Sequence, residues 1–309
     1  MRVRTPIVLD CDPGHDDAIA LLLALASPEV ELLGVTTTYG NQTLEKTTAN
    51  ALRVLELVGR TDVPVAMGAA QPLARELAVA AHVHGESGLD GPVLPAAATT
   101  PASANAIDFL ADAIRGAGRP VTLVPTGPLT NVARYLEKHG PDGIARVVLM
   151  GGSIAEGNIT PAAEFNIWAD PEAARRMFAS GLDVTMVGLD VTHQALLGPG
   201  EEARLRATGQ IGTFVAELNV FLCRYHRETY GWDGAPIHDA VALAQVVRPE
   251  LIETRHRNVE VEVESELCRG RTVVDLWNRT DRPPNAHVAV GLDREGFFDL
   301  LIERIGTLG

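Results

Sequence analysis

Across its first two-thirds the chain alternates short β-rich runs with helix-length segments, and this alternation constrains the fold more than any other feature. Strands are expected at 7–9, 30–38, 63–67, 120–124, 146–150 and 184–189, with helices at 18–26, 44–58, 104–117, 130–138 and 171–179. Strands separated by helices of this length form βαβ units. They predict an α/β fold, a Rossmann-like, open, mainly parallel central sheet flanked by helices. Further helices are expected at 213–229, 238–247 and 294–305, and short strands at 259–263, 272–276 and 286–290. A chain of 309 residues can bury one large core or two. No internal repeat, low-complexity tract or linker divides it, so a single domain over 1–309 is expected. Only 71–101 breaks the rhythm. Rich in Gly, Pro and Ala and without periodicity, it is long for a compact domain and suits a lid, a wall of a site or a subunit contact.

In an open parallel sheet, sites form at the carboxyl ends of the strands. The first strand ends in Asp10-Cys11-Asp12-Pro13-Gly14-His15-Asp16-Asp17, four carboxylates in eight residues. Strand alternation places Asp10 and Asp12 on one face and Cys11 on the other. Pro13-Gly14 turn the chain, and Asp16 and Asp17 suit the positive N-terminus of the next helix. A helix dipole alone does not call for four acids. Like charges this close raise one another's pKa unless a cation neutralises them. Oxygen donors with no Cys/His pair nearby suit a hard ion, Ca²⁺ or Mg²⁺. The plainer account makes them solvated loop acids and a helix cap.

Other strand ends are also polar. Gly40-Asn41 follows the second strand, and Thr126-Gly127-Pro128-Leu129-Thr130-Asn131 the strand ending at Val124. Gly151-Gly152, Asn158 and Glu164-Phe165-Asn166 follow Met150, and His238-Asp239 opens a helix beyond a Gly/Pro turn. Taken singly, each suits a turn or a cap. Gathered along one sheet edge, they point to a shared site.

The totals exclude some functions. A net charge of −14, with 40 acids against 26 Lys and Arg, argues against a nucleic-acid or anionic-membrane partner. Three sparse cysteines, Cys11, Cys223 and Cys268, make no disulfide framework and suit a reducing compartment. No signal-peptide pattern opens the sequence and no apolar run is long enough to span a bilayer, so a cytoplasmic location is expected.

The stretch Asp10–Ala18 resembles the N-terminal fingerprint of the inosine–uridine preferring nucleoside hydrolase family. The similarity continues through Thr37-Thr38-Tyr39-Gly40-Asn41, His82-Val83-His84-Gly85, Leu123–Asn131, Met150-Gly151-Gly152, Glu164–Ile167, Asp170–Ala174 and His238-Asp239-Ala240. Those motifs run in family order over nearly the whole chain. The resemblance implies a bound Ca²⁺ and hydrolysis of ribonucleosides to base and ribose. It implies Asp12, Asp17 and Asp239 as side-chain metal ligands and Thr126 as a main-chain ligand. Asp16 and Asn41 match ribose contacts near the 2′-hydroxyl, Asn166 a 3′-hydroxyl contact, and Asn158 and Glu164 residues that hold the 5′-hydroxyl. Phe165 and Asp239 belong to the same implied substrate site. His238 and His84 match pocket histidines on the base side, Asp10 stands behind the ligands, and a homodimer or homotetramer is implied.

The chemistry suits these groups. N-glycosidic cleavage builds positive charge on the ribose, so water must be activated on one face while the base departs from the other. Asp12 is the expected general base, with His238 and His84 completing the catalytic set. His139, His193, His256 and His287 are expected to be structural or exposed, and His15, inside the first motif, is left outside the implied site. Phe221 and Tyr225, four apart, share a helix face that either packs in the core or stacks on a base. The segment Tyr230–Asp239 resembles that of pyrimidine-preferring or mixed-specificity bacterial members more than that of purine-specific ones, which implies a lean toward a pyrimidine or mixed preference (uridine, cytidine, inosine). Two alternatives stand beside this reading. Asp10-x-Asp12 after a buried strand also suits a Mg²⁺-dependent aspartyl phosphohydrolase, though no basic residue sits in the motif loops. A non-catalytic nucleoside- or ribose-binding protein could use the metal only to grip the diol.

Overall fold

The computed structural model describes residues 4–308. Thr5–Cys11 (β1) is an apolar run buried at every position after the first, as a strand covered on both faces must be. Val30–Thr37 (β2), Val65–Met67 (β3), Val121–Pro125 (β4), Ile144–Met150 (β5) and Val184–Val187 (β6) follow at βαβ spacing. The sheet runs β3-β2-β1-β4-β5-β6 and then adds the strands Ala286–Leu292 and Ile252–Arg257. All neighbours are parallel except the last pair, which is antiparallel.

This order reverses direction at β1. From there the chain winds outward to β2 and β3, then returns to place β4 on the other side, with Leu9 beside Val124 and Asp10 beside Pro125. A crevice opens at such a switch point, beyond the carboxyl ends of β1 and β4.

Helices cover both faces. The helix His15–Ala26 (α1) is buried from His15 to Ala24, on every side, which marks it as a central element. It packs beside the equally buried His238–Val247 helix and the closing helix Arg294–Ile305. The opposite face carries the amphipathic helices Ala106–Gly116, Thr130–His139 and Pro171–Phe178. Among the described residues no helix is long and apolar enough to cross a membrane.

Several expectations need correction. The strand expected over 184–189 stops at Val187, because Gly188 turns the chain into a one-turn helix, Leu189–Thr192. The Ile252–Arg257 strand was not expected. It is a largely exposed antiparallel edge whose charged residues hide any apolar alternation. The helix expected over 213–229 starts earlier, as Gln210–Tyr230, and an unexpected Pro199–Arg206 helix precedes it. Within 71–101 a single turn, Ala81–His84, makes the segment a wall of the site.

Candidate active site

The carboxyl ends of β1, β2, β4 and β5 surround a cleft. Its lining includes Asp16, Asn41, His84, Thr126, Asn158, Glu164, Phe165, Asn166, His238 and Asp239. Asp12 and Asp17 lie buried behind this lining.

The acid cluster is held by donors from four segments. Asp17 accepts from Gly14 N–H (3.0 Å) and Asn41 Nδ2 (2.8 Å) on one oxygen, and from Thr126 Oγ1 (2.9 Å) and Asp12 N–H (3.3 Å) on the other. Asn41 commits its backbone N–H to Asp12 Oδ2 at 2.7 Å and its amide to the Asp12 carbonyl at 3.1 Å as well as to Asp17. It is a brace between the two acids, and only its Oδ1 is left to contact a ligand. Asp10 accepts from Thr36 Oγ1 (2.6 Å) and Asn131 Nδ2 (2.8 Å). Asn131 therefore ties strands together rather than capping a helix, and Thr130 likewise donates to Asp170.

Two glycines press against Asp12. A Cβ on Gly40, at φ +154°, would sit 2.0 Å from Asp12 Oδ2, and one on Gly127 2.4 Å from Oδ1. Bare backbone is what lets these loops close around the carboxylate.

Asp16, Asp17 and Asp239 each offer an oxygen within 4.8 Å of the others. This trio contains Asp16, which the resemblance assigns to ribose, and omits Asp12, which joins it only through Asp17 and Asn41. Burial, and then repulsion from neighbouring carboxylates, pushes the carboxyls of Asp12 and Asp239 well up and that of Asp16 to about 7, while burial alone raises that of Asp17 against the hydrogen bonds it accepts. Asp12 Oδ1 is buried without a hydrogen-bond partner. An unpaired carboxylate oxygen there is costly. All-oxygen donors with one oxygen left open fit a hard cation.

The ribose-facing residues are positioned by main-chain contacts. Glu164 caps the Phe165–Ala169 helix, accepting from Asn166 and Ile167 N–H and from Gly152 N–H, and burial raises it to about 7. Asn158 Oδ1 accepts from Phe165 N–H, which leaves its amide N–H groups for the cleft. Asn166 Nδ2 donates to the Thr126 carbonyl at 2.7 Å, and that oxygen keeps a second lone pair.

Histidines gather across the cleft. His84 Nδ1 lies 3.1 Å from His15 Nδ1, and His15 Nε2 donates to the Asp90 carbonyl at 2.8 Å. His15 thus braces His84 from behind and stacks on Phe221. Burial pushes both imidazoles down, His15 to about 4 and His84 well below the ordinary imidazole value. His193, expected to be structural or exposed, instead lines the cleft between His238 and Trp232, and burial holds it at about 4.

Sequence reasoning missed His226. It sits on the long Gln210–Tyr230 helix, where its Nδ1–H donates to the Leu222 carbonyl at 3.0 Å, and it stacks on Tyr230 and Trp232. The signal was present: Leu222, Tyr225, His226 and Tyr230 fall at i, i+3, i+4 and i+8, and all line the cleft. No lysine or arginine is among the lining residues. A dianionic phosphate would find no charge partner there.

Comparison with known proteins agrees with this architecture. The family model described as inosine-uridine preferring nucleoside hydrolase matches residues 7–299. A pyrimidine-specific ribonucleoside hydrolase RihA from Shewanella sp. (strain MR-4) is 53% identical over 306 residues, covering 98% of this chain and 96% of its own. The RihA of Salmonella typhimurium LT2 is also 53% identical, over 97% of this chain and 98% of its own. Among solved structures, a purine-preferring ribonucleoside hydrolase from Gardnerella vaginalis superposes with a TM-score of 0.92 at 37% identity, covering 98% of this chain and 99% of its own.

Proposed function

The chain belongs to the inosine–uridine preferring nucleoside hydrolase family and is a ribonucleoside hydrolase, and we propose that it is Ca²⁺-dependent and prefers pyrimidine ribonucleosides. The observation that carries this reading is the buried, unpartnered Asp12 Oδ1 beside the Asp16–Asp17–Asp239 trio, on the floor of a cleft whose far wall is histidine and tyrosine. The pyrimidine preference is supported by the 53%-identical relatives, which are described as pyrimidine-specific, against a 37%-identical one described as purine-preferring.

Asp12, Asp17, Asp239 and the Thr126 carbonyl would hold the ion, which when bound neutralises the carboxylates and acidifies a water. Asp12 takes the proton of the attacking water. Asp16, Asn41, Asn158, Glu164, Phe165, Asn166 and Asp239 orient the ribose, so binding energy is directed to a flattened sugar. The electron pair of the breaking C1′–N bond passes to the base, which leaves toward His84 and His238. Assembly as a homodimer or homotetramer and a cytoplasmic role in salvage complete the reading; light scattering of the purified protein checks the first.

The test is ribose release from uridine, cytidine, inosine and adenosine, with a phosphomonoester as control. Faster release from the two pyrimidine nucleosides is expected. Faster purine cleavage would overturn the preference, and no release from any nucleoside would overturn the substrate assignment.

A further inference from the structure

His238 opens its helix with Nδ1 2.7 Å from Thr192 Oγ1, while its ring lines the cleft. Thr192 closes the one-turn helix Leu189–Thr192 and is sealed from solvent, at 0% exposure. Among the described residues its hydroxyl has one hydrogen-bond partner, this imidazole nitrogen. A hydroxyl carries a proton that needs an acceptor, and leaving a buried donor without one is costly. If His238 Nδ1 held the proton, the Thr192 O–H would be orphaned. If Thr192 donates, both groups are satisfied and the ring proton sits on Nε2, which has no hydrogen-bond partner among the described residues.

We propose that Thr192 is a positioning residue that fixes His238 as the Nε2–H tautomer, so that a neutral N–H donor faces the departing base. This rests on the proposed placement of His238 beside the base. The donor stabilises negative charge growing on a ring oxygen or nitrogen as the C1′–N electron pair moves onto the base, and no proton needs to be stored on the imidazole beforehand. Three of the five cleft imidazoles then divide by partner. His226 gives its Nδ1 proton to a carbonyl and presents a lone pair, His84 leans on His15, and His238 alone is set as a donor by a hydroxyl.

The test uses Thr192→Val, which removes the hydroxyl at nearly constant shape, and Thr192→Ser, which keeps it. With uridine, kcat/KM of Thr192→Val is expected to fall about 100-fold, within the range for loss of a positioned acid. With 4-nitrophenyl β-D-ribofuranoside, whose leaving group departs without a donor, it should stay within about 3-fold, which also shows that the variant is folded. Thr192→Ser should recover uridine cleavage to within about 3-fold. ¹⁵N-histidine NMR of the wild-type protein reads the tautomer directly, with a pyridine-type Nδ1 and a pyrrole-type Nε2 expected for His238. Equal losses on both substrates, no loss on uridine, or a wild-type proton on Nδ1 would each overturn the proposal. The NMR result does not depend on substrate, so it fails or holds separately from the proposed function.

Discussion

Asn41→Ala isolates the brace between the two buried acids. The substitution deletes the amide donor to Asp17 Oδ2 at 2.8 Å and the one to the Asp12 carbonyl at 3.1 Å, while the backbone bond to Asp12 Oδ2 remains. A hydrogen bond to a charged carboxylate is worth about 1.5–3 kcal/mol and one to a carbonyl about 1 kcal/mol. Together they amount to about 3 kcal/mol, or roughly 10²-fold in an equilibrium or rate constant. That loss should divide between ion binding and turnover, because both use the geometry of Asp12 and Asp17. Titration calorimetry of chelator-treated protein with Ca²⁺ reads the first, and kcat/KM for uridine at saturating Ca²⁺ the second. The product of the two losses should be near 10². If both quantities stay within about 2-fold of wild type, Asn41 is not a brace and the reasoning fails.

Other perturbations probe the same account. Asp12→Asn removes the proposed base and a ligand together, so kcat should fall by about 10³ with the melting temperature largely kept; full activity would remove Asp12 from the mechanism. Gly127→Ala would put a methyl 2.4 Å from Asp12 Oδ1 and should cost activity, whereas Gly116→Ala, at a helix end with open space around it, should stabilise by about 0.5–1 kcal/mol in thermal melts. Two opposing groups of sites set the pH dependence of the chelator-treated protein's stability, the imidazoles acting only up to about pH 6.5. Below that, imidazoles held down by burial, His15 and His193 at about 4, are neutral when folded but protonated when unfolded, so stability is lost as pH falls. Asp16 and Glu164, raised to about 7, keep protons that the unfolded chain releases above about pH 4, so they lower stability progressively up to pH 7, and between about 6.5 and 7 they act unopposed by the imidazoles and stability falls. Ca²⁺ should flatten the alkaline side by favouring ionised Asp16; a metal-free melting temperature that climbs from pH 6.5 to 8 would contradict this.

The sheet was legible because buried parallel strands are continuous apolar runs, and β1, β2 and β5 could be read to within a residue or two. Ile252–Arg257 was not, since an exposed edge strand needs no apolar pattern and its pairing with Ala286–Leu292 is a long-range fact. The acidic side of the cleft was legible for a local reason: Asp12, Asp16 and Asp17 lie within one strand–turn–helix unit. On the base side only His84 and His238 were named, through the resemblance, and His193 and His226 were not placed there. His84, His193, His226 and His238 come from a loop, a single turn and two helices, and only tertiary packing brings them together. Asn41 and Asn131 look like turn and cap residues in sequence, and only the fold reveals them as cross-links between segments.

The most direct measurement is uridine hydrolysis by protein stripped with a chelator and then titrated with Ca²⁺. Activity should vanish on stripping and return in proportion to bound ion, saturating at one Ca²⁺ per chain. Undiminished turnover by protein shown to be free of metal would contradict the account.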